Sequence, residues 1–336
     1  MKKLINKKNL QLLNEFCDFS IFHDKNILIT GGTGMVGSYL ADSIVLGCQT
    51  QGYRPSKLKI GGLQISETSR NKFVDLSYIE MSSSYLVQKN SSGDNQIVFH
   101  LASPASPTQI TDYDSLQFAN SGCLENILNP YVEKFVFFST GEVYGDKPKE
   151  VLEKDEHANF DLSNKRDWYP KAKLEGEEKS KELCALFDID LAIIRLFHTF
   201  GPGVKRSDGR SFADFLYEAA MGNLPVLRSK GNDVRTFLFS TDAVIAFIKI
   251  YAKSEKVGVY NVGSAEPITI AQFAKKVSEI AGLGGEIEFN FRSNEDYLHS
   301  PNKSIIPNIS KLLDLGWKSR INLDSAILET LQYIKS

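Results

Sequence analysis

Residues 26–41 read Asn26-Ile27-Leu28-Ile29-Thr30-Gly31-Gly32-Thr33-Gly34-Met35-Val36-Gly37-Ser38-Tyr39-Leu40-Ala41, and this stretch decides the fold. An apolar strand runs into a glycine turn and out again into a helix. Gly32, Gly34 and Gly37 satisfy G-x-G-x-x-G, and Gly31, Gly34 and Gly37 satisfy the related T-G-x-x-G-x-x-G. A pyrophosphate at a helix N-terminus needs a tight turn, backbone close enough to donate N–H groups, and a helix packed hard on its strand. Glycine permits all three. A glycine-rich turn without a ligand is the plainer reading, but the position between strand and helix speaks against it.

Outward from this turn, short β-rich runs alternate with helical stretches, the pattern of parallel βαβ units. Strands are expected at Asn26–Thr30, Lys57–Ile60, Lys72–Val74, Gln96–Leu101, Phe135–Ser139, Leu191–Leu196 and, returning late, Val259–Val262. They are dense in Ile, Val, Leu and Phe with little alternation, as strands covered on both faces should be. Helices are expected at Met35–Leu46, Lys171–Phe187, Phe212–Met221, Ala271–Ala281, Ser310–Leu313 and Leu323–Ile334. The fold class is therefore α/β, a Rossmann-type doubly wound parallel sheet with a smaller C-terminal substrate-binding lobe. Residues 1–24 form a lead-in, and 25–199 the nucleotide-binding domain, with returning strands near 237–262. Residues 200–236 and 264–336 form the smaller lobe.

The 336 residues carry 39 Lys+Arg against 41 Asp+Glu, a formal charge of −2, so no electrostatic case exists for nucleic acid or a membrane surface as partner. Cys17, Cys48, Cys123 and Cys184 lie far apart, with no spacing suited to zinc or a disulfide scaffold. A reducing cytoplasm fits best. The start, Met1 to Lys8, has the basic flavour of a signal peptide, but Asn14, Glu15 and Asp18 interrupt what would be its apolar core, so a short amphipathic lead-in is expected. His23, His100, His157, His198 and His299 are scattered and form no H-E-x-x-H cluster, and no G-x-S-x-G elbow is present.

The second strand lacks the usual acid. A dinucleotide site commonly places Asp or Glu there for the adenosine ribose, yet Ile60 is followed by Gly61-Gly62-Leu63-Gln64 and no carboxylate appears before Glu67. Arg70 and Lys57 lie within chain reach. NAD is the expected coenzyme, with NADP as the alternative. Asp75, read as ending the third strand in Phe73-Val74-Asp75-Leu76, is a candidate acceptor for the adenine amino group or else a helix cap.

Tyr169 and Lys173 stand four residues apart, so on a helix they share a face. A phenol with a pKa near ~10 is a poor base at neutral pH, but a neighbouring ammonium and a cationic nicotinamide stabilise its phenolate. Tyr169 can then take a proton from a sugar hydroxyl. Upstream, Phe135-Val136-Phe137-Phe138-Ser139-Thr140-Gly141-Glu142-Val143-Tyr144-Gly145 ends a parallel strand with polar residues facing the ligand crevice.

With these motifs the chain resembles the extended short-chain dehydrogenase/reductases that act on nucleotide sugars as epimerases, dehydratases and decarboxylases. The matching pieces are Thr30–Gly37, Phe99–Ser103, Ser139–Gly145, Tyr169 with Lys173, Arg195–Gly203, Arg235–Phe237 with Asp242, and Tyr260–Gly263, in family order. The resemblance implies a tightly held NAD near Gly31, Thr33, Gly34, Met35 and Val36. Further coenzyme contacts are implied at Asp75 and Leu76, at Leu101, Ala102 and Ser103, and at Tyr169 and Lys173. It implies Thr140 as the hydroxyl partner of Tyr169, and Glu142 as the group handling a proton at or near C5; Glu142 as a mere cap is the structural alternative. Gly141 departs from the Asp found in one dehydratase branch.

Within the group, Ser103-Pro104-Ala105-Ser106-Pro107 and Asp208-Gly209-Arg210 are similar to UDP-glucuronate decarboxylases. Substrate contacts are implied at Ser103, Pro104, Arg210, Arg235 and Arg292. His198 stands where an asparagine is usual, as a substrate contact or a polar residue at the lobe seam. The implied activity is that of a UDP-glucuronate decarboxylase working through a 4-keto intermediate. A 4,6-dehydratase is the runner-up, a 4-epimerase or 4-keto reductase the third, and a non-catalytic dinucleotide sensor the reading from another class. Relatives dimerise through the Tyr–Lys helix, which implies a homodimer.

Overall fold

The computed structural model describes residues 3–89, 96–106, 109–147, 150–291 and 304–336. Seven parallel strands form its main sheet: β1 (Asn26–Thr30), β2 (Lys57–Gly61), β3 (Ile79–Ser82), β4 (Ile97–His100), β5 (Lys134–Thr140), β6 (Asp190–Leu196) and β7 (Val257–Val262). Their order is β7-β6-β5-β4-β1-β2-β3, which reverses direction at the β1/β4 junction. A ligand crevice belongs at the carboxyl ends of strands at such a switch point.

Alternation along β1 feeds both layers. Ile27 and Ile29 join a core with Leu40 and Ile44 of α2 (Met35–Gln51) and with Val244 and Phe247 of the helix Ser240–Lys253. Leu28 faces the other way, into a core with Val98, Phe135, Phe137 and Leu183. The last of these sits on α3 (Trp168–Phe187), the helix that carries Tyr169 and Lys173. A further aromatic core holds the smaller lobe together: Phe237 stacks on Phe273 at 4.2 Å, and Phe200 meets Phe273 edge-on. The C-terminal chain divides between the two bodies. Ile309, Leu312 and Trp317 join the first core, whereas Ile321, Ile327 and Leu331 join the aromatic one.

The lead-in is built into the fold. The helix Lys7–Phe16, named α1, is capped by Asn6, buries Leu13 in the first core and rests Leu12 on the aromatic one. Asn6 and Asn9 both donate to Glu329 of the last helix, at 2.9 and 2.7 Å. No described helix is long and apolar enough to cross a membrane.

One expected strand is displaced. Lys72–Val74 forms turns, and Val74 is 72% exposed. The third strand is instead Ile79–Ser82, whose Ile79 and Met81 pack on the first core while Leu58–Gly61 of β2 supplies its partners. An edge strand buries little, so the apolar pair Phe73-Val74 gives the stronger local signal without being part of the pairing segment. Asp75 and Leu76 therefore precede β3, and Asp75 caps no described helix. Neither residue ends the third strand, as the sequence reading had expected of Asp75.

Candidate active site

The glycine turn is held against the tip of β4. Gly31 has φ +69°, and a Cβ there would lie 2.6 Å from the Leu101 carbonyl carbon. At Gly37 a Cβ would come within 2.3 Å of the Gly31 oxygen. No side chain other than hydrogen fits at either position. Leu101 N–H donates to the Thr30 carbonyl at 3.1 Å, and Ala102 N–H to the Thr30 hydroxyl at 3.3 Å. His100 locks the same corner: its Nδ1 lies 2.8 Å from Thr30 Oγ1 and its Nε2 2.9 Å from the Ala119 carbonyl. Burial, then the Lys173 charge, lowers this imidazole to about 3, so it is neutral, with Nε2 donating and Nδ1 accepting.

This corner fits a dinucleotide pyrophosphate. The N-cap of α2 is Gly34, with no capping side chain, so the amides of Met35, Val36 and Gly37 open the helix toward the crevice. Thr33 covers the tip of β2, where a Cβ on Gly62 would meet its hydroxyl at 2.2 Å. Beyond lie Leu63, 82% exposed, and the serines at the end of β3, with Ser82 and Ser84 hydroxyls 2.8 Å apart. These serines occupy the position that sequence reading had given to Asp75.

The proton-handling groups meet at the tip of β5. Thr140 ends the strand, and its hydroxyl accepts from the Glu142 amide at 3.3 Å, capping the short turn Gly141–Tyr144. The Tyr169 phenol stands in the first turn of α3, near enough to the Thr140 side chain to feel it. Burial foremost, then the Glu142 charge, raises this phenol above its ordinary range, while Arg210 and Thr140 pull it down. Lys173, one turn on, is buried, donates to the Phe138 carbonyl at 2.6 Å and lies 5.8 Å from the Tyr169 ring centre. Gly141 has a packing reason: a Cβ there would sit 2.7 Å from the Phe197 ring, which excludes the aspartate of the dehydratase branch.

Glu142 feels the charge of three cations. Burial raises its carboxyl above the usual carboxylate range, and Arg210, Arg235 and Arg166 draw it back in that order. Arg210 is gripped by Asp208 through bonds of 2.5 and 2.7 Å and lies over the Phe212 ring. Arg235 is buried, donates to the Val234 carbonyl at 2.8 Å and approaches Asp233 at 3.7 Å. His198 sits edge-on to Phe237, and burial with the Arg235 and Arg210 charges lowers it to about 3, so it is neutral. Ser103 accepts from Asn120 at 3.1 Å, and Ser106, two residues past Pro104, donates to the Asp208 carbonyl across the crevice. Arg292 and Pro107 lie outside the described residues.

Sequence reading missed Arg166, although it stands three residues before Tyr169 and so near the same crevice. It also missed the buried partners behind the site, foremost Glu177, whose signal was its place one helical turn after Lys173. Among the described residues no cluster of His, Cys, Asp and Glu could hold a metal ion.

The NAD dependent epimerase/dehydratase family model matches residues 27–263. The chain is 26% identical to UDP-glucuronic acid decarboxylase 1 of Xenopus tropicalis over 328 residues, covering 93% of this chain and 72% of that one. Among solved structures it resembles a UDP-glucuronic acid 4-epimerase variant from Bacillus cereus in complex with a fluorinated UDP-glucuronic acid and NAD. That match has TM-score 0.76 and 20% identity, over 92% of this chain and 98% of that one. A dTDP-glucose 4,6-dehydratase from Bacillus anthracis in complex with NAD gives TM-score 0.73 and 19% identity, over 92% and 96%. The chain belongs to the NAD dependent epimerase/dehydratase family.

Proposed function

We propose that this family member decarboxylates UDP-glucuronate through a 4-keto intermediate, with NAD as its recycled coenzyme. The observation that supports the reading is that the charges of Arg210, Arg235 and Arg166 all act on the buried Glu142 carboxyl, whose own charge acts on Tyr169. Although Asp208 holds Arg210 and Asp233 lies near Arg235, a planar guanidinium in this group can pair with a sugar carboxylate through two bonds. A neutral hexose would not use it.

In this reading the glycine turn Gly31–Gly37 and the amides of Met35 and Val36 hold the coenzyme's pyrophosphate, while Leu101, Ala102 and Ser103 line its path toward Lys173. Bound NAD supplies what no side chain here can, a reversible store for the electron pair leaving a carbinol carbon. Tyr169, as phenolate, takes the C4 hydroxyl proton with Thr140 sharing the hydrogen bond, and Lys173 stabilises that phenolate. Once C4 is a ketone, the C5 carboxylate is β to a carbonyl. Its C–C bond breaks, carbon dioxide leaves, and the electron pair passes into the enolate. Glu142, its carboxyl raised by burial, donates a proton to C5 in place of the departed carbon dioxide. Tyr169 then gives its proton back to the C4 oxygen.

The test is incubation with UDP-glucuronate, followed by carbon dioxide release and the proton spectrum of the sugar. UDP-xylose with stoichiometric carbon dioxide supports the proposal. UDP-galacturonate without gas makes the protein an epimerase, and turnover of UDP-glucose alone rejects the anionic substrate. A homodimer through α3 is part of the same reading. The outer side of this helix is charged at Glu178, Lys181 and Glu182 but exposes Leu186, and sedimentation measures the assembly.

A further inference from the structure

The strand β2 ends at Gly61, which stands in register with Ser82, the last residue of β3. In a nucleotide-binding sheet, the end of the second strand is where an acid commonly takes the 2′-hydroxyl of the adenosine ribose. This chain has Gly61-Gly62-Leu63-Gln64 there, and the next carboxylate, Glu67, opens a separate short helix, Glu67–Asn71, and is exposed. The two glycines differ in kind. Packing requires Gly62, because a Cβ on it would strike the Thr33 hydroxyl at 2.2 Å. Packing does not require Gly61. Its φ lies outside the left-handed region, and a Cβ there would meet nothing closer than the Tyr85 ring at 3.4 Å, an ordinary contact. The fold has room for an aspartate at this position, and the chain carries none.

The described groups around this tip do not restore the missing charge. Ser82 and Ser84 close β3 with hydroxyls 2.8 Å apart, and Ser84 donates onward to Gln88 at 2.9 Å. The Gly62 amide donates to the Ser82 carbonyl at 3.3 Å. Lys57 and Lys59 precede Gly61 at two-residue steps, so all three share one face of β2. Lys57 pairs with Glu80 at 2.9 Å, and Lys59 is buried with its ammonium 5.9 Å from the Tyr85 ring centre. The side chains leading to the tip are thus cationic or neutral apart from Glu80, which Lys57 holds.

We propose that Gly61 sets the coenzyme choice: by leaving the ribose end of the crevice without a carboxylate, it lets the chain bind NADP about as tightly as NAD. A 2′-phosphate brings up to about two negative charges. Beside an aspartate these are repelled, and inside a closed pocket they must shed water. Neither cost arises here. Gly62 is half-buried and Leu63 and Gln64 are exposed, so a phosphate at this tip keeps its hydration. NAD, for its part, forgoes the hydrogen bond from its ribose to a charged acceptor, which narrows the gap further. The inference rests on Gly31–Gly37 as the coenzyme turn and on no choice of sugar or reaction.

Calorimetry on the full chain, freed of copurified nucleotide, compares NAD with NADP in the wild type, in Gly61→Asp and in Gly61→Asn, a neutral side chain of the same size. The wild type is expected to hold NADP within about tenfold of NAD. Gly61→Asp is expected to weaken NADP by about 30-fold, and by less in high salt, with NAD as tight as before or tighter. Gly61→Asn is expected to keep NADP within about fivefold of the wild type. A wild-type preference for NAD beyond tenfold overturns the proposal, and so does an equal loss of NADP in the Asp and Asn variants. If Gly61→Asp fails to fold, the wild-type ratio alone decides. Absence of binding by either nucleotide removes the coenzyme turn and this proposal with it, whereas binding of both without turnover of UDP-glucuronate removes only the decarboxylase reading.

Discussion

Lys173 Nζ donates a 2.6 Å hydrogen bond to the carbonyl oxygen of Phe138, two residues before the strand tip at Thr140. The amine is thus buried with one backbone acceptor, and burial lowers its pKa to about 7. The unfolded chain, with an ordinary lysine near ~10.4, binds more protons than the folded one between those two values, so stability rises with pH there. In coenzyme-free protein, wild-type stability relative to Lys173→Met should climb from about pH 7 to ~10, by at most about 1.4 kcal/mol per unit. Urea denaturation across that range measures it, and a flat difference contradicts the lowered pKa of Lys173.

The glycine turn predicts a separation of stability from binding. Gly37→Ala pushes a Cβ to 2.3 Å from the Gly31 oxygen, a backbone atom that cannot step aside. We expect a loss of about 1–3 kcal/mol and of NAD affinity by calorimetry. Gly52→Ala is the control: its φ of +78° strains the alanine, but nothing lies within 4 Å. That variant should lose stability by melting and keep NAD affinity.

Arg166 should discriminate between sugars. It is one of the three cations whose charge acts on Glu142, and it is half-buried at the crevice. Arg166→Gln is expected to lower kcat/KM for UDP-glucuronate by about 10- to 100-fold, the worth of about 1.5–3 kcal/mol for a hydrogen bond to a charged group. Affinity for UDP-glucose, measured by calorimetry, should stay put. Equal losses for both nucleotide sugars would place Arg166 in the scaffold rather than at the sugar.

Asp242 is predicted to matter for stability alone. Its Oδ2 accepts from the Ser319 hydroxyl and the Arg320 and Ile321 amides, at 2.9 to 3.0 Å, tying the helix Ser240–Lys253 to the C-terminal chain. In Asp242→Asn an NH2 group or a single carbonyl must replace a carboxylate that accepts from three donors. A loss of about 1–3 kcal/mol follows, read by thermal denaturation, with kcat per folded molecule unchanged.

Much of the site was legible because its constraints are local. The turn Gly31–Gly37 needs glycine for reasons confined to a few residues of backbone, and the four-residue step from Tyr169 to Lys173 sets a common helix face. What failed was non-local. Asp75 was placed at a strand tip because Phe73-Val74 is apolar, whereas the pairing segment is Ile79–Ser82, chosen by its match to β2. Arg166, three residues before Tyr169, belongs to no motif and has no pattern of its own.

The sequence by itself determined the βαβ alternation, the phosphate-binding turn and the proton-transfer pair, since propensity, φ and helical spacing act over a handful of residues. Only the tertiary structure decided which charges meet. Glu177 finds Arg195 eighteen residues away through the pairing of β5 with β6, and the charges of Arg210, Arg235 and Arg166 act on Glu142 from three separate segments. Sheet order and the packing of the smaller lobe set those distances, and Coulomb energy depends on distance and burial rather than on position along the chain.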